Sequence, residues 1–327
     1  MENQELKIFN ETIKEIEKKY GKGSLKMMSD NIKDVDVIST GNLNLDNALG
    51  INGLPKGRII ELYGNESSGK TTIALQVVAE CQKNKGRAAY IDVENALDYK
   101  YIKNIGINLD DLIIANPEHG EQAFSIIDAL IKTNLIDLIV IDSVAALIPQ
   151  SEFNSTIEDQ NIGAHARLMS KGLRMIQSSI SKANVCVIFI NQLREKVGIM
   201  FGNPEVTTGG RALKFFSSIR MEVKKSELLK TGHELEGIKS KVTIVKNKLA
   251  PPLKSCFVDI FFGKGFDYKN DIMNFAIEYE IIKKNGSWYY YNEKKLAQGK
   301  TQLSQFLNEN EDIFNEIKTN VLEKLDK

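Results

Sequence analysis

Cysteine is scarce in this sequence, and neither sign of charge is in excess. Three cysteines occur among 327 residues, and Lys plus Arg equals Asp plus Glu at 43 each. Cys81, Cys186 and Cys256 are far apart, odd in number and free of any C-x-x-C spacing, which argues against a disulfide framework or a thiolate metal site. We expect buried, reduced thiols instead. Because the charges balance, any surface for nucleic acid must come from local clusters of basic residues.

Long apolar runs are also missing. The first residues, MENQELKIFNETIKEIEKKYGKG, contain no apolar segment typical of a secretion signal, and no uninterrupted apolar run approaches the ~20 residues of a bilayer span. We therefore expect a cytoplasmic protein with no membrane partner. The hydrophobic content of 42% and the charged content of 26% are ordinary for a globular protein, and the length allows one large domain or two to three smaller ones.

The order of apolar segments predicts an α/β fold. Residues 3–20 predict an amphipathic helix, because apolar residues from Leu6 to Tyr20 recur near helical spacing and Gly21 marks an end. From residue 58, strands alternate with helical stretches, which indicates a mainly parallel sheet covered on both faces. The strands are predicted in RIIELY, AAYIDVE, LIIA, DLIVID and VCVIFIN, and the helices near 70–84, 98–105, 119–133 and 160–182.

The second half of the chain changes pattern twice. Three β-rich runs with short or polar connections, SIRMEVKK, SKVTIVKNK and KSCFVDIFF, favour antiparallel strands that extend the same sheet. From about Gly265, a helix, a hairpin centred on Asn285-Gly286 and helices at 300–309 and 311–325 indicate a small α+β domain. The predicted parts are an N-terminal arm at 1–30, a core at 31–264 and a C-terminal domain at 265–327.

A phosphate-binding loop follows the first strand of the series. The stretch GNESSGKTT matches G-x-x-x-x-G-K-[ST] between a predicted strand and a predicted helix, the context that supports this motif. Its two glycines let backbone N–H groups and the helix N-terminus point at phosphates, while Lys70 would neutralise β and γ oxygens and Thr71 would ligate Mg²⁺. The predicted nucleotide-binding residues are Gly64, Asn65, Glu66, Ser67, Ser68, Gly69, Lys70, Thr71 and Thr72.

Two carboxylates are predicted to lie beside this loop. The apolar run LIVID ends in Asp142 at the carboxyl edge of the sheet, where it can reach Mg²⁺ together with Thr71. Glu94 ends the AAYIDVE strand at the same edge, so it could hold the water that attacks the γ-phosphate. A carboxylate after a strand is by itself more often a helix cap or a solvated group. The phosphate-binding loop nearby favours an ATPase or GTPase instead.

Several further stretches accompany these motifs. They are GSLKMM at 23–28, VENALD at 93–98, DSVAALIPQ at 142–150, INQLREKVGIMFGNPEVTTGGRALKFF at 190–216 and VKNKLAPP at 245–252. Together they give a sequence that resembles the bacterial RecA family of ATP-dependent strand-exchange recombinases, from about residue 5 to about residue 325. The resemblance implies a RecA-like P-loop ATPase core with a mainly parallel central sheet, an N-terminal polymerisation helix and a C-terminal domain that helps to gather duplex DNA.

The resemblance also implies a mode of action. Identical protomers would form a filament on single-stranded DNA, bind ATP with Mg²⁺ between neighbours and pair the strand with a homologous duplex in DNA repair. A repressor cleaved in the SOS response would be a further partner. The N-terminal helix would dock on the next protomer, although packing on its own core would look the same in sequence.

By position, the resemblance assigns nucleotide-site roles outside the loop. Glu94 matches the catalytic glutamate, and Gln192 matches the residue that senses the γ-phosphate and orders the segment after it. Asp98 and Tyr101 match residues around the adenine.

Two lysines, Lys246 and Lys248, match residues that reach a neighbour's phosphates and act as an arginine finger would. Without the resemblance, alternate lysines on a strand would be interpreted as one solvated face.

Two segments without an apolar period are predicted at the carboxyl side of the sheet. The first, near 151–163, is mildly acidic and poorly suited to holding phosphates by charge. The second, near 193–210, displays an apolar cluster, which is a liability unless something such as a nucleic-acid base stacks on it. The cluster comprises Val197, Ile199, Met200 and Phe201.

The resemblance makes these segments the two DNA loops, with Ile162 of the first also inserted between bases. Gly209 and Gly210 can offer N–H groups to a phosphate, and Arg211 follows at the start of a short helix. Contacts to phosphate imply binding that is largely independent of sequence. A stripe at three-to-four spacing on the 160–182 helix, which could equally be solvated surface, comprises Arg167, Ser170 and Arg174.

The sequence departs from the family pattern at two places. Asn65 stands where proline is common in the loop, and Phe153 to Thr156 differ from the acidic, glycine-containing form expected there.

Two other functions stay open from sequence. One is a hexameric helicase motor with the same core, against which the apolar second loop and GGRALKF argue. The other is a nucleotide-gated scaffold with negligible hydrolysis, against which Glu94 argues.

Overall fold

The computed structural model describes residues 2–21, 24–25, 35–156, 163–195, 205–232 and 234–325. The chain forms two compact units, Met1–Asp36 and Val37–Lys327. In the first unit, helix α1 spans Glu2–Tyr20 and ends where the Gly21 amide donates to the Glu17 carbonyl at 2.9 Å. Gly21 has a positive φ of 98°, a conformation that favours glycine at a helix end. The predicted N-terminal helix is confirmed.

The second unit contains the strands and the remaining helices. The strands are β1 (Val37–Ile38), β2 (Leu54–Pro55), β3 (Ile59–Gly64), β4 (Ala88–Asp92), β5 (Leu112–Ala115), β6 (Leu138–Asp142), β7 (Cys186–Glu195), β8 (Glu205–Thr207), β9 (Ile219–Thr231), β10 (Glu234–Asn247), β11 (Ser255–Phe261), β12 (Gly265–Phe266), β13 (Lys283–Asn285), β14 (Trp288–Tyr291) and β15 (Lys294–Gln298). The helices are α2 (Leu43–Leu49), α3 (Lys70–Lys83), α4 (Tyr99–Ile105), α5 (Gly120–Lys132), α6 (Gln150–Phe153), α7 (Ala164–Ala183), α8 (Ala212–Phe216), α9 (Tyr268–Glu278), α10 (Lys300–Glu309) and α11 (Glu311–Leu325).

The main sheet has the strand order β12-β11-β10-β9-β3-β7-β6-β4-β5. Neighbours from β9 through β3, β7, β6 and β4 to β5 pair in parallel, whereas β10, β11 and β12 add antiparallel strands at one side. Strand β3 lies near the middle, and all its residues are buried. The expectation of a mainly parallel sheet with an antiparallel extension is confirmed.

Helices cover both faces of this sheet, as expected for parallel strands. On one face, α2, α3 and α4 pack on the strands through Leu45, Leu75 and Ile102. On the other face, α5 and α7 pack through side chains such as Phe124 and Leu173. The carboxyl ends of β3, β4 and β6 meet at one edge, and this edge carries the predicted nucleotide residues.

The C-terminal residues fold around a hydrophobic cluster of their own, in which Ile272, Leu303 and Ile317 are fully buried. The hairpin predicted around Asn285-Gly286 is present as β13 and β14, and the helices at 300–309 and 311–325 are present as α10 and α11. Strand β15 was not predicted, because its sequence KKLAQ has little β character. The domain boundary between residues 264 and 265 stays a prediction.

The predicted loops contain more regular structure than the sequence suggested. Leu193 to Glu195 continue β7 and pair with β8, so the 193–210 segment has a two-stranded stem. The first segment, 151–163, begins within the helical turn α6. Within the described ranges, no helix is long and apolar enough to cross a membrane.

The cysteine expectation holds for two thiols, because Cys81 and Cys186 are buried and Cys256 is only partly buried. Burial raises the pKa of Cys81 and of Cys256 to about 12, so the neutral thiol predominates at physiological pH.

Candidate active site and nucleic-acid interface

The loop between β3 and α3 has a shape that only glycine permits at two positions. A Cβ atom on Gly64 would lie 2.0 Å from the Val223 carbonyl oxygen, and one on Gly69 would lie 2.2 Å from Ile260 Cδ1. Gly69 also has a positive φ of 94°. The loop therefore curls tightly against neighbouring strands, and α3 begins immediately after it at Lys70. This geometry directs a helix N-terminus toward the loop, as phosphate binding requires.

Lys70 is a buried cation inside this loop. Its Nζ donates to the Asn65 carbonyl oxygen at 2.7 Å, so the loop folds around the amine. Burial lowers the pKa of Lys70, and the negative charges of Asp142, Glu94 and Glu66 oppose that change. A cation that is poorly hydrated and surrounded by backbone is suited to binding a polyanion such as a triphosphate.

An oxygen pair suitable for Mg²⁺ lies beside Lys70. Thr71 Oγ1 donates to Asp142 Oδ2 at 2.8 Å, and the buried Tyr90 hydroxyl donates to the same oxygen at 2.8 Å. Burial raises the pKa of Asp142, while the hydrogen bonds from Tyr90 and Thr71 lower it. Among the described residues, no group of three or more His, Cys, Asp or Glu side chains could hold a metal ion. A hydroxyl and one carboxylate fit Mg²⁺, which takes its other ligands from phosphates and water.

Glu94 lies beyond the strand that was expected to carry it. Strand β4 ends at Asp92, so Glu94 is two residues into the following loop, and the prediction that it ends the strand is wrong. The loop still brings it to the same edge. Ser143 Oγ donates to Glu94 Oε1 in a short hydrogen bond, and Gln192 Nε2 donates to the same oxygen at 3.3 Å. The structure thus joins Glu94 and Gln192, which are 98 residues apart in sequence.

The two residues expected around the adenine lie at the start of α4. Tyr101 Oη and Thr72 Oγ1 are 2.8 Å apart, so the ring stands beside the first turn of α3. Burial raises the pKa of Tyr101, and the hydrogen bond with Thr72 lowers it. Asp98 accepts hydrogen bonds from the amides of Lys100 and Tyr101 and caps α4. The structure thus places Tyr101 beside the loop and shows helix capping for Asp98.

The two lysines expected at a neighbour's phosphates lie far from the loop of their own chain. The Lys248 amide donates to the Ser218 carbonyl, and the Ser218 amide donates to the Ile59 carbonyl, so Lys248 is level with the first residue of β3. Five residues of strand, or ~16 Å, separate Ile59 from Gly64. Lys246 Nζ donates to the carbonyls of Lys214 and Phe215 at the end of α8.

The predicted DNA-contacting residues are only partly within the described residues. On α7, Arg167 and Arg174 are exposed and Ser170 is partly buried, and Arg211 is exposed at the N-terminal end of α8. The apolar residues expected to contact bases lie outside the described residues: Ile162, Val197, Ile199, Met200 and Phe201.

Two glycines join the second segment to α7. Gly209 and Gly210 have positive φ values of 81° and 76°. A Cβ atom on Gly209 would lie 3.0 Å from Met169 Cγ, and one on Gly210 would lie 2.9 Å from Ala166 Cβ. The structure therefore brings the end of the second segment against the first half of α7, beside the Arg167 and Ser170 stripe.

One further set of polar residues was not predicted from sequence. Glu61 in β3 is fully buried and accepts a hydrogen bond from Arg220 Nε at 2.5 Å and one from Asn191 Nδ2 at 3.0 Å. Asn191 in turn bonds Thr208. The available signal was one acidic residue inside the apolar run RIIELY, but its partners depend on the strand order.

Comparison with known proteins agrees with this geometry. The chain matches the RecA N-terminal domain over residues 7–267 and the RecA C-terminal domain over residues 270–326. It is 60% identical to Protein RecA of Malacoplasma penetrans over 99% of this chain and 98% of that protein. It is 56% identical to Protein RecA of Ureaplasma parvum over 94% and 92%, and 50% identical to Protein RecA of Clostridium novyi over 99% and 93%.

These matches cover both domains, so they decide against the helicase motor and the scaffold. The cytoplasmic location expected from the sequence is that of the matched family. The chain belongs to the RecA family, and it is a recombinase with DNA-dependent ATPase activity.

Proposed function

We propose that this chain hydrolyses Mg²⁺-ATP at the loop of residues 64–72, in a site that a second copy of the chain completes, and that single-stranded DNA binds along α7 and the 193–210 segment. We propose the roles of its individual residues as well. The observation that carries it is the separation between the loop and Lys248 within one chain.

Within one chain, three groups have distinct tasks. Lys70 binds the β and γ phosphate oxygens and stabilises negative charge that develops there. Thr71 and Asp142 hold Mg²⁺, which neutralises phosphate charge when bound. Glu94 orients the attacking water and accepts its proton, and Gln192, bonded to Glu94 at 3.3 Å, responds to the γ-phosphate.

The second copy supplies cations. Lys248 is exposed and stands ~16 Å along the sheet from Gly64, farther than an extended lysine side chain reaches. A lysine that serves phosphates from this position must serve those of another protomer. Supplying charge in trans makes hydrolysis dependent on assembly, as an arginine finger does. Heterologous contacts of this kind generate open helical filaments when the rotation between neighbours does not close into a ring.

Exposed apolar and basic side chains indicate the other binding partners that we propose. Helix α1 exposes Leu6, Ile8 and Phe9, an apolar face suited to docking on the next protomer. The α7 arginines and Arg211 contact phosphates of single-stranded DNA, and the C-terminal domain gathers double-stranded DNA. Membership of the family implies one more partner, a repressor that is cleaved in the SOS response.

A complementation assay tests the shared site. Lys70→Ala disables the loop but leaves the lysines intact, whereas Lys248→Ala leaves the loop intact. We expect little DNA-stimulated turnover from either variant alone. In a random 1:1 mixture about a quarter of the interfaces join an intact loop to an intact lysine. Turnover should therefore recover to about a quarter of that of the unmodified chain.

Lys241, an exposed lysine on β10, provides the matched control: Lys241→Ala should hydrolyse ATP normally. A mixture no more active than the sum of its parts would contradict a site shared between copies.

A further inference from the structure

Three adjacent strands carry a network of buried polar side chains that has no part in the proposed hydrolysis. Glu61 in β3 is fully buried, and Arg220 in β9 is 7% exposed. Both strands are parallel neighbours, and Glu61 is in register with Arg220. Arg220 also lies with its guanidinium carbon 4.6 Å from the centre of the Tyr63 ring. Among the described residues, protein atoms therefore bury this ion pair almost completely.

A buried ion pair is not needed for stability. Removing two charges from water costs several kcal/mol, and apolar side chains of similar size often serve a core as well or better. The pair must therefore be explained by what its hydrogen bonds arrange. Both carboxylate oxygens accept a hydrogen bond: Oε2 of Glu61 accepts from Arg220 Nε, and Oε1 accepts from Asn191 Nδ2.

The carboxylate determines the orientation of the Asn191 amide. An ionised carboxylate only accepts, so Asn191 must turn its NH₂ group toward Glu61. Its oxygen then faces the other way and accepts from the Thr208 hydroxyl at 2.5 Å and from the Gln192 amide at 2.9 Å. The same NH₂ group also donates to the Thr208 carbonyl at 3.1 Å. Two bonds from one amide thus hold Thr208.

Thr208 directly precedes the glycines that pack on α7. Gly209 and Gly210 have positive φ values and lie against Met169 and Ala166, so the position of Thr208 sets where this turn begins. Held in this way, the amides of Gly209 and Gly210 and the backbone of Arg211 are already in place before DNA arrives. Binding then costs less conformational entropy than it would with a mobile segment.

We propose that Glu61 and Arg220 are positioning residues for DNA binding: through Asn191 and Thr208 they hold the end of the 193–210 segment in its DNA-contacting arrangement. This inference rests on the proposed role of Gly209, Gly210 and Arg211 at phosphates. Lys246 is in register with Arg220 across the β9–β10 pair, so the same chain of contacts also adjoins the strand that serves the neighbouring protomer.

The decisive variants are Thr208→Val, which removes the hydroxyl at nearly constant volume, and Thr208→Ser, which retains it. The quantity to measure is the single-stranded DNA concentration that gives half-maximal ATP turnover. Thr208→Val should raise it about fivefold to tenfold, the scale of one hydrogen bond, and Thr208→Ser should stay within about twofold of the unmodified chain. Equal behaviour of the two Thr208 variants would overturn the inference.

A double-mutant cycle tests the buried pair. Glu61→Gln keeps the shape, but Gln must give its single oxygen either to Arg220 or to Asn191, so Asn191 loses its fixed orientation. We expect Glu61→Gln to raise the half-maximal DNA concentration at least as much as Thr208→Val. The double variant should be no worse than Glu61→Gln alone, because both changes break one chain of contacts. Additive effects would show that Glu61 acts independently of Thr208.

Arg211→Ala distinguishes a failure of the positioning role from a failure of the proposed DNA surface. If Arg211→Ala weakens DNA binding and Thr208→Val does not, the positioning role is wrong and the DNA surface stands. If Arg211→Ala also leaves DNA binding unchanged, the proposed DNA surface is wrong and the inference falls with it. If Glu61→Gln fails to fold, the comparison of Thr208→Val with Thr208→Ser still tests the inference.

Discussion

Glu94 is held by two side chains although it lies in a loop. Ser143 and Gln192 both donate to Oε1, which leaves Oε2 available to a water molecule. Ser143 follows Asp142 directly, so the segment that carries the proposed Mg²⁺ ligand also fixes the proposed base. This coupling of two carboxylates through adjacent residues keeps the base within reach of the site without placing it inside the loop around Lys70.

Replacing Glu94 by glutamine should separate nucleotide binding from hydrolysis. Glutamine can still accept from Ser143, but its amide has no basicity to take the proton of water. We expect ATP binding and assembly on DNA to persist while turnover at saturating DNA falls by about a hundredfold or more. A fluorescent nucleotide reports binding, and phosphate release reports turnover. Glu118→Gln, an exposed glutamate after the neighbouring strand β5, should hydrolyse ATP normally; equal rates for the two variants would remove Glu94 from its role.

Sequence was informative about residues whose partners are local and uninformative about those whose partners are distant. Lys70 and Thr71 could be assigned because a contiguous motif contains loop, cation and hydroxyl together. Glu61 could not, because Arg220 is 159 residues away and becomes a neighbour only when β9 pairs with β3. A strand order that runs against chain order cannot be obtained from periodicity.

At the scale of elements, the packing of α5 against α7 depends on one glycine. A Cβ atom on Gly172 would lie 2.5 Å from ring atoms of Phe124, and Phe124 is only 2% exposed. The ring of Phe189 stands 6.4 Å from that of Phe124 on the sheet beneath. The aromatic ring therefore occupies the space that any other side chain at position 172 would need.

Alanine at position 172 should therefore destabilise the protein. Alanine favours a helix over glycine by about 1 kcal/mol, but a methyl group forced against a packed ring costs about 1–3 kcal/mol. We expect the free energy of unfolding to fall by about 1 kcal/mol in denaturant titrations. Lys171→Ala, at the exposed neighbouring position, should change it little. In a Phe124→Leu background the cost should disappear; a cost that persists there would place the strain elsewhere.

The elements that were predicted well are those with their own periodicity and end signals. Helices α10 and α11 begin and end where the pattern placed them, because each has apolar residues at helical spacing. The stem formed by β7 and β8 was missed, because LRE and EVT are too short and too polar to indicate strands. These residues pair because β7 continues beyond the edge of the main sheet, where β8 lies antiparallel to it.

At the scale of the whole molecule, a buried carboxylate connects the core to the C-terminal helices. Asn42 caps α2 through its side-chain oxygen and donates from Nδ2 to Asp271 Oδ2 in α9 at 2.5 Å. Burial, with added repulsion from Asp259 and Asp267, raises the pKa of Asp271 to about 7. Below about pH 7 the neutral form of Asp271 is therefore favoured in the folded protein, whereas the pKa in the unfolded chain has the ordinary value of about 3.9.

The stability of the whole unit should consequently fall as pH rises from about 4 to about 7, because the folded state retains a proton on Asp271 that the unfolded state has lost. Asp271→Asn mimics the neutral carboxyl and can still accept from Asn42. We expect this variant to exceed the unmodified chain in free energy of unfolding at about pH 7.5, with an advantage that shrinks by on the order of 2 kcal/mol at about pH 5.5. Denaturant titrations at both pH values measure it. Glu278→Gln, an exposed carboxylate on the same helix, should give no such pH-dependent difference; a constant advantage for Asp271→Asn would mean that Asp271 is ionised throughout this range.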